Sequence, residues 1–261
     1  MRTTRHPRAL TPSLAHLAHF AHLAHLAHFA HFAHLAPLAL LALLAAPATA
    51  ATFTVTTTGD TGEAAINQGN GTCEAIGGGC TLRAAIDEAN ALATPDIVVF
   101  GPGILPATIN LANGPLVITQ AIAINGPGPA QLTVNGPGLS VNQVQRVFHV
   151  NTAAGVAVSL IGMTVTNGYV DAAPREGGGI LVENGNVTLG NLDVTGNEVV
   201  RGGGNPALGG GLYVRNGTLD ATDCAFDANV LSGAGNAFAG AGVYVHDATV
   251  RLTRCTISGN T

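Results

Sequence analysis

The chain has no tryptophan and no lysine, few aromatic residues (4%) and few charged ones (10%). Its only strong bases are 10 arginines, set against 15 acids. A phosphate backbone is bound by clustered positive charge, and none exists here, so nucleic acid is excluded as a partner. Scarce aromatics leave few platforms on which a sugar could stack. The four cysteines show no CxxC or Cys-His spacing, so no metal site and no cofactor are expected.

What the chain does have is a ladder. Val158, Val187, Leu219 and Val250 form one apolar column, at spacings of 29, 32 and 31 residues. Leu160, Leu189, Ala221 and Leu252 form a second, Met163, Leu192, Cys224 and Cys255 a third, and Val165, Val194, Phe226 and Ile257 a fourth. Within each repeat the first two columns are offset by two residues, as are the last two, which puts both side chains of a pair on one face of a strand. Gly177 to Gly179, Gly209 to Gly211, and the Asn-Gly pairs at Asn184 and Asn216 supply turns. A fixed period of about 30 residues built from short strands and glycine turns signals a solenoid. The fold class is therefore all-β, a parallel β-helix with three short strands per turn. Asn197, Asn229 and Asn260 recur after the fourth column and are read as an amide ladder that satisfies turn backbone groups.

Residues 1–50 are different material. Arg2, Arg5 and Arg8 precede an apolar run from Leu35 to Ala46, and Ala48-Thr49-Ala50 suits cleavage. That order reads as a secretory signal peptide, with the mature chain starting near Ala51. His16, His19, His22, His25, His28, His31 and His34 repeat every third residue inside it. On a helix of 3.6 residues per turn a period of three spirals round the axis, so these histidines do not make one metal-binding face. Repeat slippage in a discarded leader, a His-rich metal tract and an uncleaved membrane anchor are the three readings. The mature part keeps every acid and seven arginines; seven against fifteen leaves −8. Such an acidic coat suits a secreted or outer-surface protein.

In a secreted chain cysteines pair. Cys73 and Cys80 enclose a short Gly-rich loop and are expected to be bridged. Cys224 and Cys255 fall in one inward column on adjacent rungs, where they are either stacked thiols or a disulfide. Glu183, Arg215 and His246 occupy equivalent outward places. Asp220 lies one repeat before Arg251, and Asp223 one repeat before Arg254. Opposite charges stacked across strands favour register, which removes these residues as candidate acids and bases. Tyr213 and Tyr244 stand one repeat apart on the outward side, as a stacked pair or as a glycan contact.

Residues 51–100 precede the repeats. Phe53-Thr54-Val55 reads as a strand. In Cys80-Thr-Leu-Arg-Ala-Ala-Ile-Asp-Glu-Ala-Asn90, Leu82, Ala85, Ile86 and Ala89 follow the i, i+3, i+4, i+7 spacing of an amphipathic helix, with Thr81 as N-cap. A helix here covers the first rung, whose open edge would otherwise pair with another chain. Ile97-Val98-Val99-Phe100 then starts the coil. The segment FTVTTTGD, the two cysteines and the motif from Cys80 to Asn90 resemble the CSLREA domain found at the start of bacterial secreted or surface right-handed β-helix proteins. PDIVVF, the stretch from Ala121 to Gly128, Arg146 to Val150, and the closing CTISGNT are similar to the rungs of pectin-lyase-like and polymorphic outer-membrane-type β-helices. Thr81 and Ala84 depart from the motif's serine and glutamate. Leu82, Arg83 and Ile86 match it, and Arg83 is expected to pair with an acid of residues 51–100. The resemblance implies a right-handed coil and a place outside the cell, without a reaction.

Two functions follow. One is a structural, adhesive or interaction protein of the cell surface, with a cell-envelope component, a glycan or another protein as partner, and with membrane contact only through the leader or an anchor beyond the sequence. The other, by fold analogy, is a polysaccharide lyase or glycoside hydrolase. Calcium-assisted elimination needs converging acids and a base, whereas Asp220, Asp223 and Asp227 are each followed by a turn or a stacked arginine. Asp193 and Asp227 are the conceivable carboxylate pair, in columns two positions apart. No catalytic residue is assigned. Thr261 falls inside a rung, so the coil at 101–261 reads as truncated.

Overall fold

The computed structural model describes residues 49–138 and 143–261; the leader and its histidine repeat lie outside the described residues. Thr49–Thr261 forms one compact unit, a parallel β-solenoid of about four turns with a single short α-helix. The sequence columns become stacked rungs. Val158, Val187, Leu219 and Val250 are direct partners on successive strands, as are Leu160, Leu189, Ala221 and Leu252. Val165, Val194, Phe226 and Ile257 make the same kind of file on the adjoining face. A fourth file, Leu116, Phe148, Ile180, Leu212 and Val243, closes the core from the other side. Each buried aliphatic side chain contributes roughly 1.5–3 kcal/mol of transfer free energy.

Two kinds of residue turn the corners. Gly162, Asn191, Asp223 and Arg254 stack in one column with φ of 68°, 49°, 56° and 52°, bending each long strand into two faces. The glycine triplets divide their work. Only the first members, Gly177, Gly209 and Gly240, have positive φ, at 60°, 63° and 64°. The third members are glycine for lack of room: a Cβ on Gly179, Gly211 or Gly242 would stand 2.9, 2.7 or 2.7 Å from the amide nitrogen of Asn197, Asn229 or Asn260. Those asparagines form the expected ladder. Asn197 Nδ2 donates to Asn229 Oδ1 at 3.0 Å, and Asn229 Nδ2 to Asn260 Oδ1 at 3.0 Å. Asn229 Nδ2 and Asn260 Nδ2 also donate to the carbonyls of Val194 and Phe226.

The turn after each asparagine holds more than a loop. Val144–Gln145, Tyr169–Val170, Glu198–Arg201 and Val230–Gly233 form a further small sheet, beside the pair Ala207–Leu208 and Phe238–Ala239. Val170, Val199 and Ala207 are fully buried there, with Val144, Leu231 and Phe238 against them, as a second apolar cluster separate from the coil core. Three strands per turn is thus too few. The loops stack with the same period as the rungs and so bury apolar residues of their own.

At the N-terminal end two elements share the capping. Thr52–Val55 pairs in parallel with Asp96–Phe100 and satisfies that strand's edge. The helix, Leu82–Ala91, packs on both strands and on Leu116–Ile118, burying Leu82, Ala85, Ile86 and Ala89. The helix therefore plugs the core, while Thr52–Val55 becomes the edge strand of the sheet. Thr81 caps it: Oγ1 accepts from Ala84 N at 3.0 Å and donates to the Thr61 carbonyl at 2.6 Å. Among the described residues no helix is long and apolar enough to cross a membrane.

Candidate functional site

The richest gathering of polar side chains lies on the outer side of the face built by Leu116–Ile118, Phe148–Asn151, Ile180–Asn184, Leu212–Val214 and Val243–Val245. Strand alternation points Val117, His149, Leu181, Tyr213 and Tyr244 away from the core in one file. Exposure does not follow from that direction. Leu181 is fully buried and Tyr213 only 3% exposed. The chain entering each strand folds back over this file, close enough that a Cβ on Gly209 would stand 2.8 Å from Tyr213 Cβ. The two tyrosine rings are stacked, with centroids 5.4 Å apart and planes within 9°. Arg215 lies over the Tyr213 ring, its Cζ 5.7 Å from the centroid.

Arg215 organises the charges. It pairs with Glu176 and reaches Glu183 Oε1 at 4.0 Å. Its hydrogen bonds to Tyr213 and then Glu176 hold its pKa above the ordinary arginine range. Glu183 Oε2 in turn lies 3.2 Å from His149 Nε2. Burial, and then the nearby Arg146 cation, hold the imidazole below its usual value. Arg146, 3% exposed, donates through Nη2 to the carbonyls of Pro174 and Glu176 at 3.2 and 2.9 Å. Burial pulls it down to about 10. Arg215 thus bridges Glu176 and Glu183, Glu183 meets the His149 imidazole, and Arg146 is held by backbone carbonyls.

Asp223 and Asp220 are likewise matched to an arginine one rung away. Asp223 Oδ1 and Oδ2 accept from Arg254 Nε and Nη2 at 2.6 and 2.7 Å, and the pairing depresses the Asp223 carboxyl. Asp220 lies 3.8 Å from Arg251. Asp193 and Asp227 are diagonal neighbours, since Asp193 faces Ala225 and Asp227 faces Thr195. These four line a shallow cavity of about 190 Å³. Ser258 Oγ donates to Asp227 Oδ1 at 3.1 Å.

Cys73 and Cys80 form a disulfide. Cys224 and Cys255 are free thiols, Cys224 buried and pushed up to about 11 by that burial. Arg83 finds its acid in Asp60, with Nε and Nη2 2.8 and 3.1 Å from the two carboxylate oxygens. It also donates to the carbonyls of Gly114 and Pro115, tying the N-terminal segment to the first turn. Sequence reasoning missed Arg146, His149 and Glu176. His149 was findable, because it sits 32 residues before Leu181 in the outward file; Glu176 lies in a turn outside every column. Among the described residues no group of three or more His, Cys, Asp or Glu side chains could hold a metal ion.

Comparison of the chain with protein-family models, with curated proteins and with solved structures returned no match.

Proposed function

We propose that this is a secreted or cell-surface parallel β-helix of structural, adhesive or interaction type, in which the coil displays polar ladders to a partner. One observation carries the reading. The outward charges of successive rungs are taken up by each other, in the Glu176–Arg215–Glu183–His149 chain, the Asp220–Arg251 pair and the Asp223–Arg254 pair. Groups so engaged hold register and shape a surface. Catalysis needs an acid and a base left free to exchange protons with a substrate. The leader, the acidic mature chain and the resemblance to CSLREA-type β-helix proteins support a place outside the cell. Among the aromatic pair, half-buried Tyr244 is the ring a glycan would reach, because Tyr213 is covered.

A glycoside hydrolase is the second reading, favoured by the cavity that Asp193 and Asp227 line. Diagonal strand neighbours sit roughly 7–8 Å apart, within the span over which two carboxyl groups can flank a glycosidic bond and a water. One experiment separates the two. The purified mature chain is incubated with neutral and acidic polysaccharides, and both retention and release of new sugar ends are followed. Retention without release supports the binding protein. Release that disappears in both Asp193→Asn and Asp227→Asn would establish the hydrolase and overturn the first reading.

A further inference from the structure

The N-terminal segment contains a pair of buried acids that neither reading uses. Glu63 is 5% exposed and Glu88 fully buried. Among the described residues, neither has a salt-bridging cation; Arg83, on the same helix as Glu88, is taken by Asp60. Glu88 reaches from the capping helix into the loop before the disulfide, where its Oε2 accepts from Gly69 N and its Oε1 from Gly71 N. Glu63 Oε1 accepts from Glu74 N at 3.2 Å. Glu63 Oε2 is sealed from solvent with no donor, and the Glu88 carboxyl is among the groups that raise the Glu63 carboxyl.

Neighbouring carboxylates shielded from water disfavour one another's charge, which favours a proton on one of them. Both Glu88 oxygens accept backbone N–H groups, whereas Glu63 Oε2 has no donor, so Glu63 has the oxygen free to carry a proton. The surroundings reinforce this. Asp87, on the helix beside Glu88, accepts from Glu63 N at 3.2 Å and adds negative charge. Glu74 faces Glu63 from the loop, and Arg83 and Asp60 stand beyond Asp87. Burial first, with Glu88 and Asp87 adding to it and the bond from Glu74 opposing, raises the Glu63 carboxyl to about 7.

We propose that Glu63 and Glu88 form a proton-operated latch, which holds the loop at 63–72 against the capping helix while Glu63 is protonated and frees it when Glu63 ionises. The disulfide at Cys73 bounds the movement on one side. Ile66, 93% exposed, is carried on the moving part. The sign follows from linkage. A group whose folded pKa lies above its ordinary 4.5 stabilises the closed form fully below that value, and the contribution is lost as the pH rises through about 7.

The test is amide hydrogen exchange on the full chain across about pH 5.5 to 8.5, corrected for intrinsic rates. With one linked proton, protection at Gly69 and Gly71 is expected to fall by up to about tenfold per pH unit as the pH rises toward about 7 and to level off above it, while peptides from the coil stay level throughout. Glu63→Gln keeps a donor toward Glu88 at every pH and should hold the loop protected throughout. Asp87→Asn should leave the step in place. Flat protection in the unaltered protein overturns the latch. So does a step that survives Glu63→Gln, or one that disappears in Asp87→Asn and so belongs to that carboxyl.

Discussion

Asn229 does with one side chain what a turn cannot do with its backbone. It is fully buried, donates to the Val194 carbonyl and to Asn260 Oδ1, and accepts from both Asn197 N and Asn197 Nδ2. Asn229→Ala strands several buried groups at once. It is expected to cost about 3 kcal/mol, read as a lowered midpoint in denaturant unfolding. Ala228, one residue earlier, points the other way. Its φ is 52° where the neighbouring rungs place Gly196 and Gly259 at 63°. A left-handed conformation penalises a Cβ, so Ala228→Gly should stabilise the fold by about 0.5–1 kcal/mol, after allowing for the greater freedom glycine has when unfolded. An unchanged or lowered midpoint would show that this corner is not strained. Asn229 was legible in the sequence as a member of a column; the left-handed corner at Ala228 was not. The cause of the third glycine in each triplet was not, because it depends on how closely the asparagine amide approaches it.

The capping helix depends on one buried ion pair as much as on its apolar face. Asp60 accepts from Arg83 and also from Ala112 N and Asn113 N at 2.6 and 2.8 Å, joining helix, loop and first turn. The side chains of Arg83 and Asp60 are 13% and 4% exposed. Arg83→Ala leaves Asp60 as an unpaired buried charge, and a loss of about 3–5 kcal/mol is expected in thermal or denaturant unfolding. A loss below about 1 kcal/mol would mean that the pair is as weak as a surface one. The helix itself was readable from its spacing and its threonine cap. Its partner acid was not, because Asp60 lies 23 residues away with no pattern joining the two.

A coil has two ends, and the described unit treats them differently. At its first end the helix Leu82–Ala91 plugs the core. At the last rung Val245, Leu252 and Ile257 are 41%, 39% and 50% exposed, beside strand edges with no partner in the unit. Such an edge templates further pairing. The polypeptide 51–261 is therefore expected to associate in a concentration-dependent way through Val243–Val245, Ala248–Thr253 and Thr256–Ser258. Light scattering checks this, and a monomer at every concentration would contradict it. Arginine placed at Leu252 should reduce the association, by setting a charge on the exposed edge.

The sequence by itself determined the architecture of this protein: a parallel coil of about 30 residues per turn, its inward columns, its asparagine ladder, its capping helix and the Cys73–Cys80 loop. Strand alternation and a stacking period are local rules, and every rung repeats them, so they can be read without coordinates. Tertiary structure alone decided the rest. It covered Tyr213, brought Glu176 to Arg215 and drew Glu88 to the amides of Gly69 and Gly71. Turns of unequal length put those contacts together, and no period aligns residues across such turns; only the path of the folded chain does.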